Sequence, residues 1–129
     1  MKKKYLIVIA NYYEDIANGL LNSALKLIPK SNIIRIIKVP GIFEIPVTIS
    51  KNIKKYDGFL ALGCVIKGET PHFNFISKAS TNAIMDLSIA NKKPIGNGII
   101  TCLNKRQAKD RKKKGAEAAK AVVSILSQK

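Results

Sequence analysis

The sequence predicts an α/β fold, a four-stranded parallel sheet covered by helices on both faces. Two observations predict it. Four short apolar runs alternate with four longer segments whose apolar residues recur at helical spacing, the pattern of consecutive strand–helix units. The chain has 129 residues and no repeats or low-complexity linkers, so one domain, residues 1–129, is expected to bury about two thirds of its unfolded surface in a single core. Right-handed crossovers between the strands are the rule for such sheets.

Residues 4–10 are the first strand. Residues 14–28 are a helix with Ile16, Leu20, Ala24, Leu25 and Ile28 at helical spacing, and Pro29 ends it. The second strand, 33–39, closes on Pro40-Gly41. A second helix covers 43–56; Pro46 is tolerated only in its first turn, which places turn chemistry at 41–44. Asp57-Gly58 opens the third strand, 59–66. Gly68 marks a turn, Thr70 reads as an N-cap and Pro71 as the first residue of a helix over 71–90, with Ile76, Ala79, Ala83, Leu87 and Ala90 on one face. Lys92-Lys93-Pro94 closes it. The fourth strand is 95–101, and the last helix, 105–126, carries Ala118, Ala121, Val122 and Ile125 in its second half.

The net charge is +15, which draws attention to nucleic acid as a partner. The detail argues against it. Twenty Lys stand against three Arg, alongside twenty Ile and ten Asn, a general drift that decorates solvated faces. The densest basic run, 105–114, also holds Asp110 and has no interleaved aromatics for base stacking. The opening Met1-Lys2-Lys3-Lys4 imitates a secretion signal, but its apolar run is six residues long and lacks a small-residue cleavage site. No apolar run approaches the roughly 18 residues of a membrane span. A cytoplasmic protein is expected, without membrane contact. Cys64 and Cys102 sit in or just after strand-like runs, where a reduced cysteine behaves as a small buried hydrophobe.

In parallel sheets, ligands bind beyond the carboxyl ends of the strands. The chemically unusual stretches fall there: Asn11-Tyr12-Tyr13 after the first strand, 41–44 after the second and 68–72 after the third. The third holds His72, the single histidine, placed by this reading in the first turn of a helix. Free backbone NH groups and the positive end of the helix dipole at such a place favour a bound anion and a neutral imidazole. Two readings of His72 stand at this point, a base beside an anion site and a histidine that packs or caps a turn. Three loops converging on one sheet edge favour the first. A four-stranded sheet also leaves apolar surface for neighbours to complete, so self-assembly is expected.

Three blocks carry a wider resemblance. Val39-Pro40-Gly41-Ile42-Phe43-Glu44-Ile45-Pro46, then Gly63-Cys64-Val65-Ile66-Lys67-Gly68-Glu69-Thr70-Pro71-His72-Phe73, then Gly98-Ile99-Ile100-Thr101 with Gln107, Ala108 and Arg111 resemble, in order and across essentially the whole chain, the 6,7-dimethyl-8-ribityllumazine synthases of riboflavin synthesis. The resemblance implies a flavodoxin-like three-layer αβα sandwich with strand order 2-1-3-4, built into pentamers or assemblies of pentamers with sites between subunits. It implies a transferase that joins 5-amino-6-(D-ribitylamino)uracil to 3,4-dihydroxy-2-butanone 4-phosphate, with no metal and no organic cofactor. Proton transfers dominate that chemistry, and His72 matches the family's proton-transfer histidine.

The same resemblance assigns Tyr12 to stacking on the pyrimidine, and Ile42, Phe43 and Glu44 to the ribityl chain, with Glu44 accepting hydroxyl hydrogen bonds. It assigns backbone groups of Cys64, Val65 and Ile66 to the uracil edge, and Glu69 and Thr70 to the phosphate-side loop, where the Glu69 carboxylate itself is not expected to face phosphate. Arg111 matches an arginine that grips the phosphate from the adjacent subunit. The bland readings are a solvent-facing loop tyrosine for Tyr12, a helix-start acid for Glu44, core side chains for 64–66 and a solvated cation for Arg111.

The chain departs from the family's pattern in three places. Asn97 stands where many members place a stacking phenylalanine, Asn11-Tyr12-Tyr13 replaces a frequent Arg-Phe-Asn, and the segment from Arg111 to Gly115 is about five residues shorter than usual, so Lys114 has no secure counterpart. An amide at 97 hydrogen-bonds the uracil but stacks less well. The N-terminus is also short, and contacts that build larger shells are expected to be missing. Three rival readings remain at this stage: a related riboflavin-synthase-like transferase, a non-catalytic lumazine or flavin carrier, and a basic nucleic-acid binder.

Overall fold

A computed structural model describes residues 2–69 and 72–128. Along the chain these form β1 (Lys4–Ala10), α1 (Glu14–Leu27), β2 (Ile33–Val39), a 3₁₀ turn (Ile42–Glu44), α2 (Ile45–Lys51), β3 (Gly58–Ile66), α3 (Phe73–Asn91), β4 (Ile95–Cys102), α4 (Lys105–Asp110) and α5 (Lys114–Leu126). The strands pair in parallel in the order β2-β1-β3-β4, the order the resemblance implied.

Side-chain alternation along the strands builds two cores. Tyr5, Ile7 and Ile9 of β1 join Leu60, Leu62, Cys64 and Ile66 of β3 on the face covered by α1 and α5, which contribute Leu20, Ala24, Ala119 and Val122. Leu6, Val8 and Ala10 join Phe59, Ala61 and Val65 on the opposite face, under Ile45 and Ile49 of α2 and Ile84 of α3. All nine residues of β3 are buried, as expected of a central strand with helices on both sides. Each fully buried aliphatic side chain contributes about 1.5–3 kcal/mol, so this strand anchors the fold.

Two predicted helices differ from expectation. The segment read as one helix over 43–56 is a 3₁₀ turn, then seven residues of α-helix, then turns at 52–55. Pro46 sits in the first turn of α2, as it must, and the Asn52 side chain donates to the Thr48 carbonyl (2.8 Å) as the helix ends. The segment read as one helix over 105–126 breaks at 111–113 into α4 and α5. Ser23 of α1 stitches that break, its hydroxyl donating to the Lys112 carbonyl (2.6 Å) and accepting from the Ala116 amide (3.0 Å). Gly115 lets α5 lie against α1, since a Cβ there would collide with the Leu20 carbonyl. Partners on α1 thus replace the helical hydrogen bonds that the break forfeits.

Candidate active site

A cavity of about 250 Å³ opens at the carboxyl ends of β1 and β3. Tyr12 and Tyr13 line it from the β1–α1 loop, Gly41, Ile42, Phe43 and Glu44 from the loop and turn after β2, Cys64 and Val65 from β3, and Glu69 and Ile76 from the β3–α3 connection and α3. The structure therefore brings together seven of the residues singled out from sequence: Tyr12, Ile42, Phe43, Glu44, Cys64, Val65 and Glu69. Tyr13, Gly41 and Ile76 complete the wall. Ile76 was readable only as a helix-face residue, and its place four residues after His72 was the available signal.

Local chemistry sets each wall. Gly63 has no Cβ, and one would collide with the Ile42 side chain and Ala10, so the 3₁₀ turn seats directly on β3. Ile42 is buried there while Phe43 is 61% exposed beside it. The Glu44 amide closes the turn by donating to the Gly41 carbonyl (3.2 Å), and its carboxylate lies over Gly41. The Tyr12 ring is 73% exposed and meets Tyr13 edge-on, centroids 4.9 Å apart, leaving a face of Tyr12 open. Glu69 accepts from the Tyr13 hydroxyl (3.5 Å) and stands 4.0 Å from the Lys105 ammonium at the start of α4. Lys105 itself lies 5.9 Å above the Tyr13 ring.

Cys64 is a buried thiol in this wall. Burial, the neighbouring Cys102 thiol and the Glu69 carboxylate push it up to about 12 from an ordinary 9.0. It stays protonated at neutral pH and is no nucleophile there. Because the fold disfavours the thiolate, stability does not change through this group below pH 9 and falls as pH climbs from 9 toward 12.

The remaining singled-out residues lie elsewhere. Ile66 is fully buried in the α1/α5 core, and its carbonyl accepts the Glu69 amide (3.3 Å). His72 does not line the cavity. It is an exposed N-cap of α3 rather than a first-turn residue, with φ 61° and ψ 35°, and its carbonyl accepts the amide of Ile76 (2.9 Å). Its left-handed backbone cannot continue the helix, so α3 begins one residue later, at Phe73. Thr70 and Pro71, read as N-cap and first helical residue, lie outside the described residues.

Asn97 and Arg111 share a second, separate groove at the free edge of β4, with Thr81, Thr101, Asp110, Lys113, Lys114 and Glu117. The Asn97 carboxamide oxygen accepts the Ile99 amide (3.0 Å), which leaves its NH₂ to donate elsewhere. Arg111 is the C-cap of α4, and one Nη donates to the Thr101 carbonyl (3.0 Å), leaving the rest of the guanidinium fork open.

Comparison with known proteins bears on the whole chain. A family model for 6,7-dimethyl-8-ribityllumazine synthase matches residues 2–129. The chain is similar to the 6,7-dimethyl-8-ribityllumazine synthase of Bartonella tribocorum, 42% identical over 140 aligned residues that cover 100% of this chain and 93% of the relative. It is similar to that of Bartonella henselae, 43% identical over 138 residues, 99% of this chain and 89% of the relative. The protein of the same name in Agrobacterium fabrum is 39% identical over 143 residues, covering 100% and 97%. With likeness at this level from end to end, on a sheet of the implied strand order, the chain belongs to the 6,7-dimethyl-8-ribityllumazine synthase family.

Proposed function

We propose that this transferase of riboflavin biosynthesis performs its family's reaction at a site shared by two copies of the chain. The reaction condenses 5-amino-6-(D-ribitylamino)uracil with 3,4-dihydroxy-2-butanone 4-phosphate to 6,7-dimethyl-8-ribityllumazine. The uracil's amine attacks the ketone to form an imine, phosphate leaves, and the ribitylamino nitrogen closes the second ring with loss of water. Tyr12 stacks on the pyrimidine, backbone groups of 64–66 meet its edge, and the turn Ile42–Glu44 holds the ribityl hydroxyls. His72 transfers protons at the mouth, one helical turn before Ile76 in the wall. The segment 69–70 meets the phosphate.

One observation carries the shared site. Among the described residues the cavity wall holds two carboxylates, Glu44 and Glu69, and no Lys or Arg, and Lys105 at its mouth offsets only one of the two, so alone it does not attract a phosphate. The groove with Arg111, Lys113, Lys114 and Asn97 lies apart, at the sheet's free edge. A head-to-tail contact that sets the groove of one copy against the cavity of the next supplies the missing cations, and closes into a ring if the rotation allows. Phe75 (69% exposed) and Ile89 (67%) on α3 are apolar surface for such neighbours to cover, and a pentamer or an assembly of pentamers is the expected form.

No helix among the described residues is long and apolar enough to cross a membrane. The protein acts as a cytoplasmic enzyme on small molecules, and nucleic acid is no part of its work. The test is to mix the protein with both substrates and follow the lumazine chromophore. Formation well above the uncatalysed rate is expected; tight product binding without turnover would make the protein a carrier instead.

A further inference from the structure

We propose that Lys105 is a specificity-determining residue for the phosphate-bearing substrate, acting by offsetting the Glu69 carboxylate at the mouth of the cavity. The inference rests on the functional reading above and extends it to a residue that the sequence offered only as one cation in a basic run.

A phosphate monoester entering this cavity meets negative charge from Glu44 and Glu69. Glu44 is tied into the turn that holds the ribityl end, whereas Glu69 belongs to the segment assigned to phosphate. Lys105 and Glu69 form the one ion pair among the described residues, in a chain where 23 Lys and Arg outnumber eight Asp and Glu. Its position is built rather than incidental. The Lys67 amide donates to the Cys102 carbonyl (2.9 Å), which keeps the end of β4 beside the chain leaving β3. Asn104 caps α4 by accepting the Gln107 amide (2.9 Å), and Gln107 accepts the Leu103 amide (2.8 Å), which fixes the first turn of α4. Lys105 is the first residue of that turn, and the Tyr13 ring beneath its ammonium holds it over the mouth.

The Lys105–Glu69 contact is 4.0 Å long and both side chains are well exposed, so it contributes little to folding. Its consequence is local potential. The mouth lies within the roughly 8 Å over which charge acts at physiological salt, and there the ammonium cancels the carboxylate that would otherwise oppose the phosphate. The uncharged uracil substrate feels neither.

The test is a double-mutant cycle on Lys105→Met and Glu69→Gln, with KM measured for each substrate. Lys105→Met is expected to raise KM for the butanone phosphate about threefold to fivefold and leave KM for the uracil unchanged. Glu69→Gln alone is expected to lower that KM by a similar factor, and the double variant, in which the net charge at the mouth equals the parent's, to return close to the parent value. An unchanged KM in Lys105→Met overturns the inference, and so does a double variant whose KM stays as high as that of Lys105→Met, which would make Lys105 a direct ligand rather than a counterweight to Glu69. Calorimetric titration of inorganic phosphate into the same four proteins reads the same compensation without turnover. Absent turnover with the compensation intact would therefore sink the functional reading alone, and turnover without the compensation would sink this inference alone.

Discussion

Replacing His72 by alanine is expected to lower kcat by about a hundredfold, with product affinity changed less than about threefold, in a stopped-flow assay of lumazine formation. The magnitude is what a positioned proton-transfer group supplies. The exposed side chain has no capping bond to lose, so the cost falls on chemistry rather than on folding. His72 does sit at φ 61°, where alanine is strained by about 1–2 kcal/mol. His72→Asn removes the imidazole while keeping a side chain that tolerates that backbone, and it should be as slow as the alanine variant. A normal rate in His72→Asn would end the proton-transfer role and leave the strained N-cap as the residue's purpose.

Replacing Arg111 by alanine is expected to raise KM for the butanone phosphate about 10-fold to 100-fold, the usual worth of a charged hydrogen-bonded contact, with KM for the uracil within about twofold of the parent. Arg111→Lys should not restore it. One Nη is committed to the Thr101 carbonyl, so only a planar fork can hold that anchor and a phosphate oxygen together. Equal losses for both substrates would point to a wrong assignment.

Much of this molecule was legible in its sequence. β1 and β2 run over the expected residues, β3 and β4 differ from expectation by one residue each, and the loops after β1, β2 and β3 do meet in one cavity. Short apolar runs bounded by Pro and Gly carry that information locally. What local pattern could not carry was tertiary substitution. Nothing in 105–126 marks the break at 111–113, because the hydroxyl that satisfies it belongs to Ser23, some 90 residues away along the chain. The shortness of α2 and the left-handed turn at His72 were likewise hidden, since Pro46 and Pro71 suit a helix start whichever way the neighbouring residues turn. Asn97 and Arg111 matched the family by position, yet neither reaches the cavity of its own chain. Lys105 was invisible as an individual among its basic neighbours until the end of β4 placed it over Glu69.

The central claim is that a catalytic site takes His72 from one copy and Arg111 from the next. Co-expressing the His72→Ala and Arg111→Ala chains in equal amounts tests it directly, with butanone phosphate held well below the parent KM, where each variant alone is nearly inactive. Random assembly in a head-to-tail ring gives about one site in four an intact His72 and an intact Arg111, so purified mixed assemblies should recover roughly a quarter of the parent's activity. Activity no higher than the average of the two variants would contradict a shared site and return both residues to a single chain.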